Sequence, residues 1–255
     1  MTMTFADTVS PVTTRLAAAA PGRAHAGRMD LYVSIHKALR HFMTDTLHRV
    51  GRMDVFDAAD MNKVLGQLDA LLTECASHID RENTFMHPAM EARQPQGAHR
   101  TADDHVDHLD SIAALRAEAA TLRRAAPGER MALALRLYRH LALFVAENFQ
   151  HMHFEETHNN AVVWSHYTDA ELHALHDRLL ASIEPAETMQ IMRWMVPAVS
   201  PAERAGILGD MQAKAPPQAV AAVLDVVRPH LDDTAWDKLA RALGVAQQPG
   251  LVDVR

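Results

Sequence analysis

Apolar residues recur every three or four positions along most of this chain, the spacing that gathers them on one face of an α-helix. From Met29 to Val50, the stripe Tyr32, His36, Leu39 and Met43 predicts a first helix, and Gly51 with Asp54 ends it. From Asp57 to Arg93, Val64, Leu68, Leu71, Cys75, His78, Glu82 and Phe85 step by four and three, so a second helix keeps one face toward a partner. Pro88 should kink or end it, and Gln94-Pro95-Gln96-Gly97 supplies the following turn. A third helix, Thr101 to Ala125, carries His105, His108, Ile112, Leu115, Ala119 and Leu122 on one face, and Pro127-Gly128 closes the connection. The fourth, from Glu129 past Asn160, carries Leu137, Leu141, Phe144, Asn148, His151 and Glu155.

Four long amphipathic helices joined by short connections are expected to pack as antiparallel neighbours, an up-and-down four-helix bundle. After Tyr167 the helices shorten. Thr168-x-x-Glu171 reads as a capping box and Ser200-Pro201-x-Glu203 as a cap followed by proline in the first turn. Pro185, Pro197, Pro216-Pro217 and Pro229 divide the remainder into short pieces, in which Met189, Met192, Met195 and Trp194 read as core packing. No run alternates with period two, so the fold class is all-α: a four-helix bundle followed by a smaller set of short helices. The expected organisation is a loose arm over residues 1–28, rich in Thr, Ala, Pro and Gly, a bundle over 29–166, and a helical extension over 167–255.

Composition narrows the function classes. The 255 residues are 48% apolar, enough for a core, and the net charge of −7 comes from interspersed acids and bases. Without a basic cluster, neither nucleic acid nor an anionic membrane is an expected partner. A single cysteine, Cys75, fits a reducing compartment, and the run Leu16 to Ala20 is too short for a signal-peptide core or a membrane span. A cytoplasmic protein is expected.

The chemistry lies on the apolar stripes. Among 17 histidines, His25, His48, His99, His140, His173, His176 and His230 read as surface or packing residues. His36, His78, His105 and His151 differ, because each lies on the buried face of a separate helix, and two are followed four residues later by Glu82 and Glu155. Residues four apart on a helix address the same point in space, which is metal-ligand geometry. Burying so many titratable groups without an ion is costly.

The order His36, His78-Ile-Asp-Arg-Glu82, His105, His151-Met-His-Phe-Glu155 resembles the hemerythrin-like, or HHE cation-binding, domains over about residues 29–180. The flanking Arg81-Glu82-Asn83-Thr84-Phe85-Met86-His87-Pro88 and Trp164-Ser165-His166-Tyr167-Thr168-Asp169 share that likeness. The resemblance implies two oxygen-bridged non-haem irons, with His36, His78, His105 and His151 as terminal ligands and Glu82 and Glu155 as bridges. Iron comes from this resemblance, since imidazole and carboxylate also suit zinc and other divalent metals.

The chain departs from the family's reversible oxygen carriers in two places. Those carriers have His-x-x-x-His on the third helix, whereas Thr101 and Leu109 stand four residues either side of His105, so a histidine ligand is missing unless His108, one turn on, replaces it. They also place a carboxylate five residues after the last histidine, the position of Glu156, whereas the four-residue spacing selects Glu155. His153, Glu156 and His158 read as supporting or surface residues. A ferritin-like centre, which needs Glu-x-x-His on two helices, finds one copy in Glu155-x-x-His158 and no glutamate on the first helix.

The leading expectation is a di-iron protein that responds to dioxygen, nitric oxide or iron availability. Its ligand would be a small diatomic or a peroxide, and its C-terminal helices would pack on the bundle, on a partner or on a second copy. The alternatives are an enzyme consuming peroxide or nitric oxide, separated by turnover, and a structural module stabilised by its metal. One histidine fewer than a carrier leaves room for an exogenous ligand at either metal. Tyr32, one turn before His36, is a further candidate neighbour of the metals.

Overall fold

The computed structural model describes residues 27–245, so most of the expected arm lies outside the described residues. All regular structure among them is helical. Helix α1 spans Val33–Gly51, and α2 spans Ala58–Arg81 and runs through a π-helical turn, Glu82–Met86, into α3, His87–Arg93. Helix α4 spans His99–Arg124; α5, Pro127–Phe154, passes through a second π-helical turn, Glu155–Asn159, into α6, Asn160–His166. The shorter helices follow as α7 Asp169–Ala181, α8 Pro185–Ala198, α9 Pro201–Lys214, α10 Pro217–Val227 and α11 Asp233–Leu243.

Local signals account for many helix ends. Asp57 accepts from the backbone N–H groups of Ala59 and Asp60 at the start of α2, and Asp30 accepts from those of Tyr32 and Val33 ahead of α1. Thr168 with Glu171 and Ser200 with Glu203 both form reciprocal capping boxes, the second more complete than a simple cap. Gly244 closes α11 in the left-handed conformation at φ 65°. Pro197 departs from its expected role as a divider, because it lies in the last turn of α8. The turn at Gln94–Gly97 forms as expected, with Gly97 N–H donating to the Gln94 carbonyl.

Helix α1 packs along α2 and α5, and α4 packs along the same two. Their shared interior is apolar: Leu65, Leu68, Leu71, Leu72, Leu115, Leu122, Leu137 and Leu141 are fully buried, each contributing roughly 2 kcal/mol of hydrophobic stabilisation. A second cluster joins Tyr32, Met86, Met90, Ala98, Val162 and Val163 to Leu172 and Leu175 of α7. The histidine and glutamate positions lie between these two clusters, flanked along each helix by members of both. A third cluster, including Val196, Leu208, Val223, Val227 and Trp236, holds α8–α11 together, with Met189 and Met192 packed against it.

Side-chain contacts also tie the later helices to the earlier ones. Trp194 of α8 stacks on Phe42 of α1 at 3.9 Å between ring centroids, and Lys37 Nζ pairs with Glu203 Oε1 at 2.5 Å. At the start of the described chain, Arg28 donates to Asp169 Oδ1 (2.7 Å) and to the carbonyls of Trp164 (3.0 Å) and Tyr167 (2.6 Å), while Trp164 Nε1 donates to the Met29 carbonyl. No helix among the described residues is long and apolar enough to cross a membrane.

Candidate metal centre

Both His-x-x-x-Glu motifs lead from α-helix into a π-helical turn that begins at the glutamate. His87 N–H donates to the Glu82 carbonyl and Asn160 N–H to the Glu155 carbonyl, each reaching five residues back. Such turns recur at functional sites because the wider loop re-aims side chains without ending the helix. Pro88 is accommodated just after the first of them. The expected kink is therefore realised as a local widening that continues into α3.

The four imidazoles come from α1, α2, α4 and α5 and turn their Nε2 atoms toward the two carboxylates. Glu82 Oε1 lies 3.2 Å from His78 Nε2 and 3.9 Å from His36 Nε2, while its Oε2 lies 3.3 Å from His105 Nε2. Glu155 Oε2 lies 3.5 Å from His36 Nε2 and 3.3 Å from His151 Nε2, and its Oε1 is 4.0 Å from His105 Nε2. Each carboxylate thus faces histidines from both sides of the centre. Two groups that could hold a metal ion result: His36, His78, Glu82 and Glu155, and Glu82, His105, His151 and Glu155. They share both glutamates.

The far ring nitrogens of His36, His105 and His151 are anchored. Glu156 Oε1 accepts from His36 Nδ1 at 3.1 Å, and Arg40 grips the same carboxylate, Nη1 donating to Oε1 at 2.5 Å and Nη2 to Oε2 at 3.0 Å. Asn83 Oδ1 accepts from His105 Nδ1 at 2.8 Å, and Asp104 Oδ2 from His151 Nδ1 at 3.2 Å. A donating Nδ1 leaves Nε2 as a lone pair, so these partners set both the ring orientation and the tautomer. His105 Nε2 and His151 Nε2 then stand 3.1 Å apart, lone pair toward lone pair. That contact is repulsive unless a cation or a proton lies between them.

The same conclusion follows from the polar atoms facing inward. His36 Nε2, His78 Nε2 and all four oxygens of Glu82 and Glu155 are buried without a hydrogen-bond partner. Leaving such groups unpaired costs about 1–3 kcal/mol each, and more for a charged one. Metal ligands bound at roughly 2.1 Å and at right angles lie about 3 Å from one another, which is the scale of the closest contacts here. The donor set fits a metal cation.

Electrostatics support that fit. Burial raises the Glu155 carboxyl well above the usual range, and the facing Glu82 adds to it. Burial acts the same way on Glu82, but His78, His105 and His36 outweigh it and hold that carboxyl well below the usual range. Burial lowers His78 to about 4 and His151 to about 2, keeping both imidazoles neutral and ready to donate a lone pair. For His36 burial is opposed and outweighed by Glu156 and Glu82, which raise it.

Other sequence candidates occupy the surroundings. Glu156 falls in neither group; the π turn directs Glu155 inward and leaves Glu156 to hold His36. His108 is buried and meets His151 edge-to-face at 4.9 Å, and it too lies outside both groups. Tyr32 is buried with its ring 5.2 Å from that of His36, and its hydroxyl accepts from Asn159 Nδ2 at 3.4 Å. Of the two positions four residues either side of His105, Thr101 is buried and bonds His87 Nε2 at 3.2 Å, and the His87 ring stacks on His105 at 4.8 Å. His87, Asn83, Asp104 and Arg40 carried no signal of their own in the hydrophobic pattern. Set against family models, curated proteins and solved structures, the chain matches none.

Proposed function

We propose that residues 29–166 form a hemerythrin-like up-and-down four-helix bundle whose two groups hold a non-haem di-iron pair, and that the protein responds to dioxygen, nitric oxide or iron availability. His36 and His78 would hold one metal, His105 and His151 the other, and Glu82 and Glu155 would bridge them. The observation that carries this reading is the sharing of both carboxylates between two groups of buried donors. Iron rather than zinc rests on the sequence resemblance, because the donors suit several divalent metals. Residues 167–255 would be a helical extension that packs on the bundle.

When bound, a pair of irons supplies redox change and open coordination positions for a small diatomic or peroxide ligand. The chain's own contribution is positioning and shielding. Asn83, Asp104 and Glu156 hold three rings with Nε2 inward, which limits reorganisation when the charge at the centre changes. Tyr32, Met86, Val163 and Leu172, all buried, close the near end against water, and the leucine-rich interior closes the other. Burial and the facing Glu82 favour the protonated form of Glu155 in the absence of metal, and metal loading opposes that protonation.

The test is metal analysis of protein expressed with ample iron. About two irons per chain with a visible absorption band supports the reading, and stoichiometric zinc without that band rejects iron. Exposure of the loaded protein to nitric oxide then separates the function classes. A spectral change without consumption marks a responder, whereas sustained turnover favours the enzyme.

A further inference from the structure

Glu74 sits on α2 one turn before His78, yet it lies at a different boundary, the seam where α8 packs on α1 and α2. It is 9% exposed, and its Oε1 has no hydrogen-bond partner. The carboxyl borders a small cavity lined by Ile35, Leu39 and Phe42 of α1 and by Ile191 and Trp194 of α8. At ≈ 10 Å³ that cavity is at the lower limit for a single water, and its walls other than Glu74 are apolar. The charged groups nearest to it are Arg81 on α2 and Glu187 on α8, and these are paired with each other across the seam. Helix α1 contributes only apolar side chains to the cavity, and the adjacent Cys75 is a neutral buried thiol raised by burial and by Glu74 itself.

An ionised carboxylate in such a place is costly, whereas the neutral acid is tolerated. We propose that Glu74 is a proton-operated latch for the C-terminal helices: protonated, it lets α8 close on α1 and α2; ionised, it loosens that seam. Burial raises the carboxyl from 4.5 to about 7, Glu187 adding to the rise and Arg81 opposing it. The closed form therefore holds a proton that the open form gives up between those values. Closure is strongest below pH 4.5, weakens as the pH rises to about 7, and is flat above. The full change in the closure equilibrium is on the order of a hundredfold. At about pH 7 the closed form is half protonated and most of the change is complete, so it is between pH 4.5 and 7 that small changes in acidity alter how firmly α8 is held on the helix that also carries His36. The latch does not depend on which metal the centre binds.

Trp194 borders the same cavity and reports on it. In the full-length chain, tryptophan emission followed from pH 5 to pH 8.5 should change with a midpoint near 7, and Glu74→Gln should remove that component. Amide hydrogen exchange in α8, compared between the two proteins at pH 8, should be slower in Glu74→Gln by about tenfold or more, and the difference should shrink to within about fivefold at pH 5. Glu74→Met, apolar and of similar length, should give the same flattened profile and guards against a defect peculiar to the amide. Emission and exchange profiles that coincide with the unmodified chain in both variants would overturn the latch. So would faster exchange of α8 at pH 8 in both.

Discussion

The helices around the centre and those of the C-terminal section treat buried polarity in opposite ways. In the C-terminal section, side chains close their own helix ends: Ser200 and Glu203 cap α9, Asp232 accepts from Ala235 N–H at 2.7 Å, and the buried Arg204 donates to the Val196 and Val199 carbonyls at the end of α8. Around the centre, six ring and carboxylate atoms on His36, His78, Glu82 and Glu155 point inward with no partner. Trp236 Nε1 is the one partnerless buried side-chain atom among the described residues of α8–α11. A stretch that meets nearly all its polar groups locally is scaffold, whereas one that leaves them unmet at matched positions on separate helices marks a place where something else is to be bound.

Breaking the centre should have the largest effect. His151→Ala or Glu155→Ala is expected to lower metal content from two toward one or none per chain and to reduce the melting temperature with it, measured by metal analysis and calorimetry on the same samples. If either variant kept both metals, the two-group assignment would fail. Next come the groups behind the ligands: Arg40→Ala and Glu156→Ala should weaken metal affinity by about 10–100-fold with helical content unchanged, and Glu156→Gln, which keeps an acceptor for His36, should recover part of the loss. Competition with a chelator of known affinity reads this out.

A smaller effect sharpens the contrast through pH. Burial lowers His87 from 6.5 to about 4, with His105 adding to the effect, so the folded chain resists protonation that the unfolded chain accepts. Stability from this residue is complete above pH 6.5 and is lost as the pH falls toward 4. Metal-free His87→Gln should accordingly show a shallower loss of melting temperature over that range. The smallest effect is expected in the C-terminal section, where Ser200→Ala should cost about 1 kcal/mol in denaturant titration and leave metal content untouched. Metal loss in that variant would erase the distinction between scaffold and centre.

The helices and the inward-facing histidines were legible because both follow from one regularity, the three-and-four spacing that carries Leu68, Leu71 and Cys75 on to His78 and Glu82. Of the supporting residues only Glu156 was anticipated, and without its partner. Asp104 lies 47 positions from His151 and Glu156 lies 120 from His36, and neither sits on an apolar stripe. Their roles depend on how helices face one another, which periodicity within one helix does not encode. The π turns were hidden for a related reason: a single widened turn leaves the four-residue spacing of His151 and Glu155 intact while reassigning Glu156 to the outer side. Pro197 shows the opposite error, a strong local breaker absorbed within the final turn of α8.

Arg28 has a consequence for how this molecule can be rearranged. By reaching Asp169 and the carbonyls of Trp164 and Tyr167, it brings the beginning of the described chain beside the junction of α6 and α7. Everything from α1 to α6 leaves and returns at one place. Neighbouring ends are the geometric requirement for joining a stretch of chain end to end and opening new termini elsewhere, and the turn at Gln94–Gly97, exposed at Pro95 and Gln96, is a place to open them. Leu172 and Leu175 of α7 and Trp194 of α8 pack on the same helices, so such a rearrangement keeps its core only if the later helices travel with it.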